Sequence, residues 1–221
     1  MKRRLTGCDG RLLRSGSTAL IVVDDRAYQS AKWRFTIAHE LGHFLLHEKL
    51  DALRSCTDRD LHAYHGTGAE PEANDFAAEF LMPRSLFAKH CDVKRPSMTV
   101  VRKLAEKFTT SLAATAIRFV ECCPEPCAVV YAEAGRIKWW TRGQDFQLWL
   151  ERGEALSSET YASDVFAGKK VDDRMQLTDA SAWSADPRAD DAVLHEHPVA
   201  LPGLGAVLTL LWQSASESLD E

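Results

Sequence analysis

The chain has 221 residues, which is enough for one large domain or two small ones. Its net charge of −5 at pH 7 provides no overall attraction to nucleic acid or to an anionic membrane surface. No run reaches the roughly 18 apolar residues that a membrane span needs, and polar residues interrupt the region where a secretory signal peptide would be apolar. We therefore expect a cytoplasmic protein without membrane contact.

The N-terminal segment predicts one strand. Residues 1–17 are polar, carry three glycines and predict irregular structure. Residues 18–23 are rich in β-branched side chains and are followed by two aspartates, which is typical of a strand.

The next predicted element is a helix that contains the sequence HELGH. Because His39 and His43 are four residues apart, they lie on the same face of an α-helix, where both imidazoles can bind one Zn²⁺. Glu40 lies on a neighbouring face, from which its carboxylate can accept a proton from water at the metal. The surrounding residues are almost all apolar, so this helix is predicted to be buried, with Thr36 as a candidate N-cap.

Residues 51–68 are polar and predict a partly helical and then irregular loop at the rim of this site. His-Glu-x-x-His on a helix is typical of metalloproteases, whose reaction intermediate carries an oxyanion that needs one further donor. Tyr64, His65 and Arg34 are candidates, and the sequence does not choose between them.

A second amphipathic helix is predicted over residues 70–82, with acidic side chains and a proline in its first turn. Glu70 and Asn74 share a face of this helix, so Glu70 can supply a third metal ligand. Asn74 can then accept the outer ring N–H of a ligating histidine. Three alternatives to Glu70 remain open, namely Glu72, His47 and Glu79.

The first helical segment reads RFTIAHELGHFLLH over residues 34–47, and the second reads EPEANDFAAEFLMP over residues 70–83. Together these segments resemble the ImmA/IrrE family of zinc metallopeptidases, and the resemblance covers roughly residues 18–120. Two departures from the family pattern are Pro71, directly after Glu70, and Phe80, where leucine is usual. Because Pro71 could shift the helix start, the choice between Glu70 and Glu72 stays open.

The resemblance implies a zincin-like metallopeptidase core in which His39, His43 and Glu70 bind Zn²⁺ and Glu40 is the general base. It also implies an endopeptidase with a protein substrate. That substrate is expected to be a DNA-binding repressor of the helix-turn-helix type, cut to induce a stress or mobile-element response.

Two short helices are predicted over residues 97–108 and 111–120, and their tight joint is typical of a helix-turn-helix-like unit. Because the unit is only mildly basic, packing against the peptidase core is favoured over DNA contact. Its basic residues are Lys94, Arg95, Arg102, Lys103, Lys107 and Arg118.

The composition after residue 123 predicts a small α+β domain. The expected elements are a hairpin over residues 128–132 and 136–140, a short helix over 146–151, and strands over 175–183, 192–201 and 206–212. Some members of the resembled family carry a GAF-like sensory domain in this place, so a GAF-like fold is expected by analogy only.

Two other clusters in the sequence contain metal-binding residue types. Cys122, Cys123 and Cys127 lack a second ligand pair at zinc-finger spacing, so free thiols are favoured over a second metal site. Residues 195–197 read His-Glu-His, for which an exposed strand end is favoured over a metal site.

The sequence thus predicts an α+β protein with a zinc metallopeptidase core over residues 1–90. A helix-turn-helix-like pair over 91–122 packs on that core, followed by a C-terminal α+β domain over 123–213 and a flexible tail over 214–221. The predicted function is that of a zinc-dependent endopeptidase. Two alternatives are a metal-containing regulatory or binding protein without turnover and a DNA-binding regulator, and the sequence does not specify the oligomeric state.

Overall fold

A computed structural model describes residues 2–3, 5, 9–15, 17–25, 32–47, 53–56, 68–190 and 192–214. The chain divides into two compact units. The first comprises Met1–Leu86 with Ala105–Ser111, and the second comprises Phe87–Leu104 with Leu112–Glu221. Helices and two separate sheets are present, in agreement with the α+β class. The domain boundaries predicted from the sequence stay a prediction.

The first unit contains a four-stranded sheet with the order β1-β3-β2-β4. Its strands are β1 (Lys2–Arg3), β2 (Gly10–Ser15), β3 (Thr18–Asp24) and β4 (Leu53–Cys56). The predicted strand is confirmed as β3. The expectation of irregular structure is wrong for β2, because this polar segment folds back on β3 as a hairpin and pairs along its whole length. The expected helix or loop is likewise wrong for β4, which pairs with β2.

Two helices of the first unit pack closely against each other. They are α1 (Lys32–Leu46) and α2 (Ala69–Leu81), and both predicted helices are confirmed. Thr36 is not the N-cap, because α1 begins four residues earlier and the Thr36 hydroxyl donates to the Lys32 carbonyl at 3.3 Å. At Gly42 a side-chain carbon would lie only 3.2 Å from the Cα of Ala73, so the absence of a side chain permits this helix spacing.

The following helices are α3 (Arg84–Phe87), a 3₁₀ turn (Ala88–His90), α4 (Met98–Phe108) and α5 (Leu112–Cys122). The last two confirm the predicted helical pair. Between them Thr109 has a positive φ of 54°, which makes the sharp joint.

The second unit contains an antiparallel sheet of five strands with the order β6-β5-β9-β8-β7. Its strands are β5 (Cys127–Glu133), β6 (Arg136–Arg142), β7 (Gln176–Asp179), β8 (Val193–Leu201) and β9 (Ala206–Trp212). The unit also contains α6 (Tyr161–Phe166) and 3₁₀ turns at Ala180–Ala182, Pro187–Ala189 and Pro202–Leu204. The predicted hairpin is confirmed, and Ala134 and Gly135 both have positive φ in its turn.

The predicted helix over residues 146–151 is wrong. Phe146, Leu148 and Leu150 are buried, whereas the residues between them are exposed. This period of two belongs to an extended segment and not to a helix, whose period is 3.6. The three buried side chains join the main apolar core of the second unit, which also contains Trp140 and Trp183.

None of the helices in the described ranges combines the length and the apolar character that crossing a bilayer requires.

The His-Glu-His segment of β8 is not an exposed strand end. Glu196 and His197 are fully buried, because β8 is paired with β9 on one side and with β7 on the other. Glu196 accepts hydrogen bonds from the Ala162 backbone N–H at 2.6 Å and from the Trp183 indole N–H at 3.0 Å. Burial raises the pKa of Glu196 from 4.5 to about 7, although these two donors favour the carboxylate.

Glu196 should make the second unit less stable as pH rises. Because its folded-state pKa lies above the unfolded value, the folded protein binds the proton more tightly, and this stabilisation is lost between pH 4.5 and pH 7. We expect the free energy of unfolding to fall by roughly 2–3 kcal/mol from pH 5 to pH 8, relative to a Glu196→Gln variant. Urea titrations of both proteins at the two pH values measure this difference. A difference that stays constant with pH would contradict it.

Candidate metal centre

His39 and His43 occupy one face of α1, one helical turn apart, as their spacing predicts. Their imidazole rings are perpendicular, with centroids 4.6 Å apart, and their Nε2 atoms are 2.9 Å apart. The side chains are 0 % and 2 % exposed. Both rings therefore present the same nitrogen to one buried point.

Glu70 reaches that point from the first turn of α2. Its Oε2 atom lies 3.2 Å from His39 Nε2 and 3.3 Å from His43 Nε2. One ligand atom from each of these three residues lies within 4.8 Å of the other two. The structure thus brings together the three predicted ligands, whereas their binding of metal stays a prediction.

Pro71 does not displace Glu70 from the helix. The helix α2 begins at Ala69, so Pro71 occupies its third position. A backbone N–H at this position would have no partner within the helix, so the N–H that proline lacks removes no helical hydrogen bond. The departure from the family pattern at this position is therefore compatible with Glu70 in the first turn.

Asn74 contacts the outer nitrogen of His39. The His39 Nδ1 and Asn74 Oδ1 atoms are 2.8 Å apart, and Asn74 is fully buried one turn after Glu70. Since the amide oxygen only accepts, Nδ1 of His39 carries the proton and donates it. The lone pair of His39 is then on Nε2, which faces Glu70.

The pKa of Glu70 is held well below its usual range. Burial raises this pKa, but His39 and His43, when their rings carry a proton on Nε2, lower it through hydrogen bonds and charge, and together they outweigh burial. The carboxylate therefore stays ionised at neutral pH. A charged oxygen beside two imidazole nitrogens is a donor set that suits Zn²⁺.

Glu40, the residue after His39 in α1, is buried, with 1 % exposure. Strand β2 approaches it closely, because a side-chain carbon at Gly10 would lie 3.0 Å from Glu40 Oε1 and 2.4 Å from Thr36 Cγ2. Gly10 was missed by the sequence analysis, which assigned its segment to irregular structure. The only signal available was a glycine in a polar segment.

The alternative ligands have other contacts in the structure. His47 Nε2 lies 2.9 Å from Glu72 Oε2, and Glu79 Oε1 accepts a hydrogen bond from the Arg84 backbone N–H at 3.0 Å.

Among the candidate oxyanion donors, Arg34 donates to the carbonyls of Phe108 and Thr109 at 3.0 and 3.1 Å. Tyr64 and His65 lie outside the described residues.

Within the described ranges, His39, His43 and Glu70 form a group of His, Cys, Asp or Glu side chains whose ligand atoms converge. Cys91, Cys122, Cys123 and Cys127 are free thiols. Burial and hydrogen bonds between thiols raise the pKa values of Cys91 and Cys127.

A helix with paired histidines and an adjacent glutamate, facing an acidic residue from a second helix, is typical of the metallopeptidase class. Comparison with protein families gives the same result: the model of Peptidase_M78, the IrrE N-terminal-like domain, matches residues 1–120. The chain therefore belongs to this family, as the resemblance of the two helical segments predicted.

The fold is also similar to that of a solved structure, a Mycobacterium tuberculosis transcriptional regulator. The TM-score is 0.53 at 14% sequence identity. The similarity covers 87% of this chain and 59% of that one, so the chain spans well under two thirds of the length of that regulator. At this identity the likeness shows the fold alone. A search of the curated proteins found no match.

Replacing Glu70 by alanine should remove most of the affinity for Zn²⁺. The variant leaves two imidazoles without the carboxylate that lies 3.2–3.3 Å from both. We expect Zn²⁺ to bind at least 100-fold more weakly than to the wild type, by competition with a chromophoric chelator, because loss of a direct ligand should exceed the roughly 10–100-fold effect of outer contacts. Glu79→Ala, on the same helix, is the matched control. Equal affinity in both variants would exclude Glu70 as a ligand.

Gly42→Ala should disturb the spacing of α1 and α2. Its added carbon would lie 3.1–3.2 Å from atoms of Phe76 and Ala73, and one of these atoms is backbone. Overpacking costs about 1–3 kcal/mol, against a gain of about 1 kcal/mol in helix propensity. We expect a net loss of stability by thermal unfolding and weaker Zn²⁺ binding. Gly203→Ala is the control, because no atom lies within 4 Å of its added carbon. An unchanged variant would contradict the spacing argument.

Proposed function

We propose that this protein is a zinc-dependent endopeptidase. The observation that carries the proposal is the convergence of His39, His43 and Glu70 on one point, with Glu40, the residue after His39, buried in the same helix. Membership of the Peptidase_M78 family supports a peptidase-like role. Two neutral imidazoles and one carboxylate are ligands that suit zinc, and they would leave a fourth position for water.

Three side chains of the cluster would hold the metal. His39 and His43 would offer Nε2, and Glu70 would offer Oε2. When bound, Zn²⁺ supplies Lewis acidity, which lowers the pKa of water and polarises a peptide carbonyl. The buried setting strengthens these electrostatic effects because few waters screen them.

Glu40 would move the proton. It would accept a proton from the attacking water and later donate it to the nitrogen of the leaving amine. The close approach of β2 at Gly10 limits the conformations of this carboxylate and helps to orient it. Tyr64 and His65 remain the proposed oxyanion donors, since Arg34 is bonded to two backbone carbonyls.

The proposed substrate is a protein, in particular a DNA-binding repressor of the helix-turn-helix type, cut to induce a stress or mobile-element response in the cytoplasm. The basis for proposing this substrate is the family resemblance. Direct DNA contact is not part of the proposal. Two of the six basic residues in and just before the helical pair have acidic partners within the protein, which disfavours DNA contact: Arg102 is paired with Asp173, and Arg118 is buried beside Glu121.

Glu40→Gln tests the mechanism. The amide cannot accept the proton, so cleavage should fall by at least 10²-fold, while Zn²⁺ content stays unchanged. Co-expression with a candidate helix-turn-helix repressor, followed by a search for a fragment, measures cleavage. The same fragment from the variant would contradict the assigned role of Glu40.

One alternative is a metal-containing regulatory protein without turnover. The fold likeness to a protein named a transcriptional regulator favours it. Under this alternative the wild type binds metal and a partner but yields no fragment.

A further inference from the structure

The outer nitrogen of His43 faces a histidine, whereas that of His39 faces an amide. The Nδ1 atoms of His43 and His47 are 3.1 Å apart, and the rings are tilted by 50° with centroids 5.2 Å apart. His47 directly follows the end of α1, and its backbone N–H donates to the His43 carbonyl, which continues the helical turn. His39, His43 and His47 therefore form one stripe at four-residue spacing.

The second nitrogen of His47 is held by a carboxylate. His47 Nε2 lies 2.9 Å from Oε2 of Glu72, which belongs to α2. An unbroken set of contacts thus runs from Glu70 through His43 and His47 to Glu72. Both of its ends lie on α2.

We propose that His47 and Glu72 are positioning residues that fix the tautomer and orientation of His43 for metal binding. This inference rests on the proposed metal site. Nε2 of His43 faces Glu70 and His39, so it must be free of a proton to bind a metal. The proton of neutral His43 is then on Nδ1, which donates to Nδ1 of His47.

The same reasoning fixes the tautomer of His47. Because its Nδ1 accepts from His43, its proton is on Nε2, which donates to the carboxylate of Glu72. The arrangement makes His47 equivalent in role to Asn74, which holds the outer nitrogen of His39. Helix α2 would therefore orient both ligating histidines, one directly through Asn74 and the other through His47.

Burial indicates which of His47 and Glu72 should matter more for the orientation of His43. The side chain of His47 is 11 % exposed, whereas that of Glu72 is 61 % exposed. A polar contact to an exposed carboxylate contributes little to folding stability, so it acts on ring orientation more than on the fold. We expect the loss of His47 to affect metal binding more than the loss of Glu72.

Four variants of the full-length protein separate positioning from a purely structural role. His47→Leu fills the space without an acceptor, whereas His47→Asn places an amide oxygen near the position of Nδ1. We expect Zn²⁺ affinity, measured by chelator competition, to fall 10–100-fold in His47→Leu and to stay within about threefold of the wild type in His47→Asn. Glu72→Ala should weaken binding by about threefold to tenfold, and by nothing further when combined with His47→Leu.

Two additional readouts accompany these affinities. The visible spectrum of bound Co²⁺ should change in His47→Leu and be restored in His47→Asn, because it reports the ligand geometry. The thermal unfolding midpoint of the metal-free variants should match that of the metal-free wild type. His90→Leu, which changes a histidine of the 3₁₀ turn at Ala88–His90, is the control and should bind Zn²⁺ like the wild type.

Three outcomes would overturn the positioning role: wild-type affinity in His47→Leu, no recovery in His47→Asn, or an equal effect of Glu72→Ala with and without His47. A wild type that binds no metal would overturn the proposed function and this inference together. A wild type that binds metal and shows these effects, but cleaves no protein, would overturn only the peptidase proposal.

Discussion

The contact between α1 and α2 is the constraint on which the metal centre depends. Two imidazoles on one helix present nitrogens to a single point, but a third donor must come from another element. Gly42 lets the backbone of α2 approach to a distance that any side chain would oppose, and Glu70 then reaches both rings.

Polar side chains buried at this contact require compensation. Burying His39, His43 and Glu40, and burying Glu70 in part, costs free energy unless each finds a partner or a metal. His39 has Asn74, Glu70 has both rings, and His43 has His47 on its outer side. The low pKa of Glu70 is a consequence of the same arrangement, since neighbouring imidazoles favour its ionised form more than burial disfavours it. The site is thus already ordered for a cation by contacts within the protein.

The second unit also buries ionisable side chains, but among its described residues they do not form a metal-binding cluster. Glu196 enters the apolar core and is held by an indole and a backbone N–H, and its pKa rises because burial disfavours the charged carboxylate. His197, on the other face of β8, contacts Asp173. The sequence His-Glu-His therefore has a structural role here, although histidine and glutamate also occur as metal ligands. Residue type alone does not distinguish the two uses; the neighbours do.

The spacing of residues in the sequence by itself predicted much of the helical structure and of the candidate site. The four-residue interval between His39 and His43 placed both on one face, and the apolar periodicity of the later helices predicted their extents within a few residues. The grouping of Glu70 and Asn74 also followed from spacing, because residues one turn apart share a face in any α-helix. Tertiary structure decided what spacing cannot encode: that Gly10 lies against Glu40, that Glu72 contacts His47 and not the buried cluster, and that residues 146–151 are extended. These outcomes depend on distances between segments far apart in the chain, and such distances arise only when strands pair and helices pack.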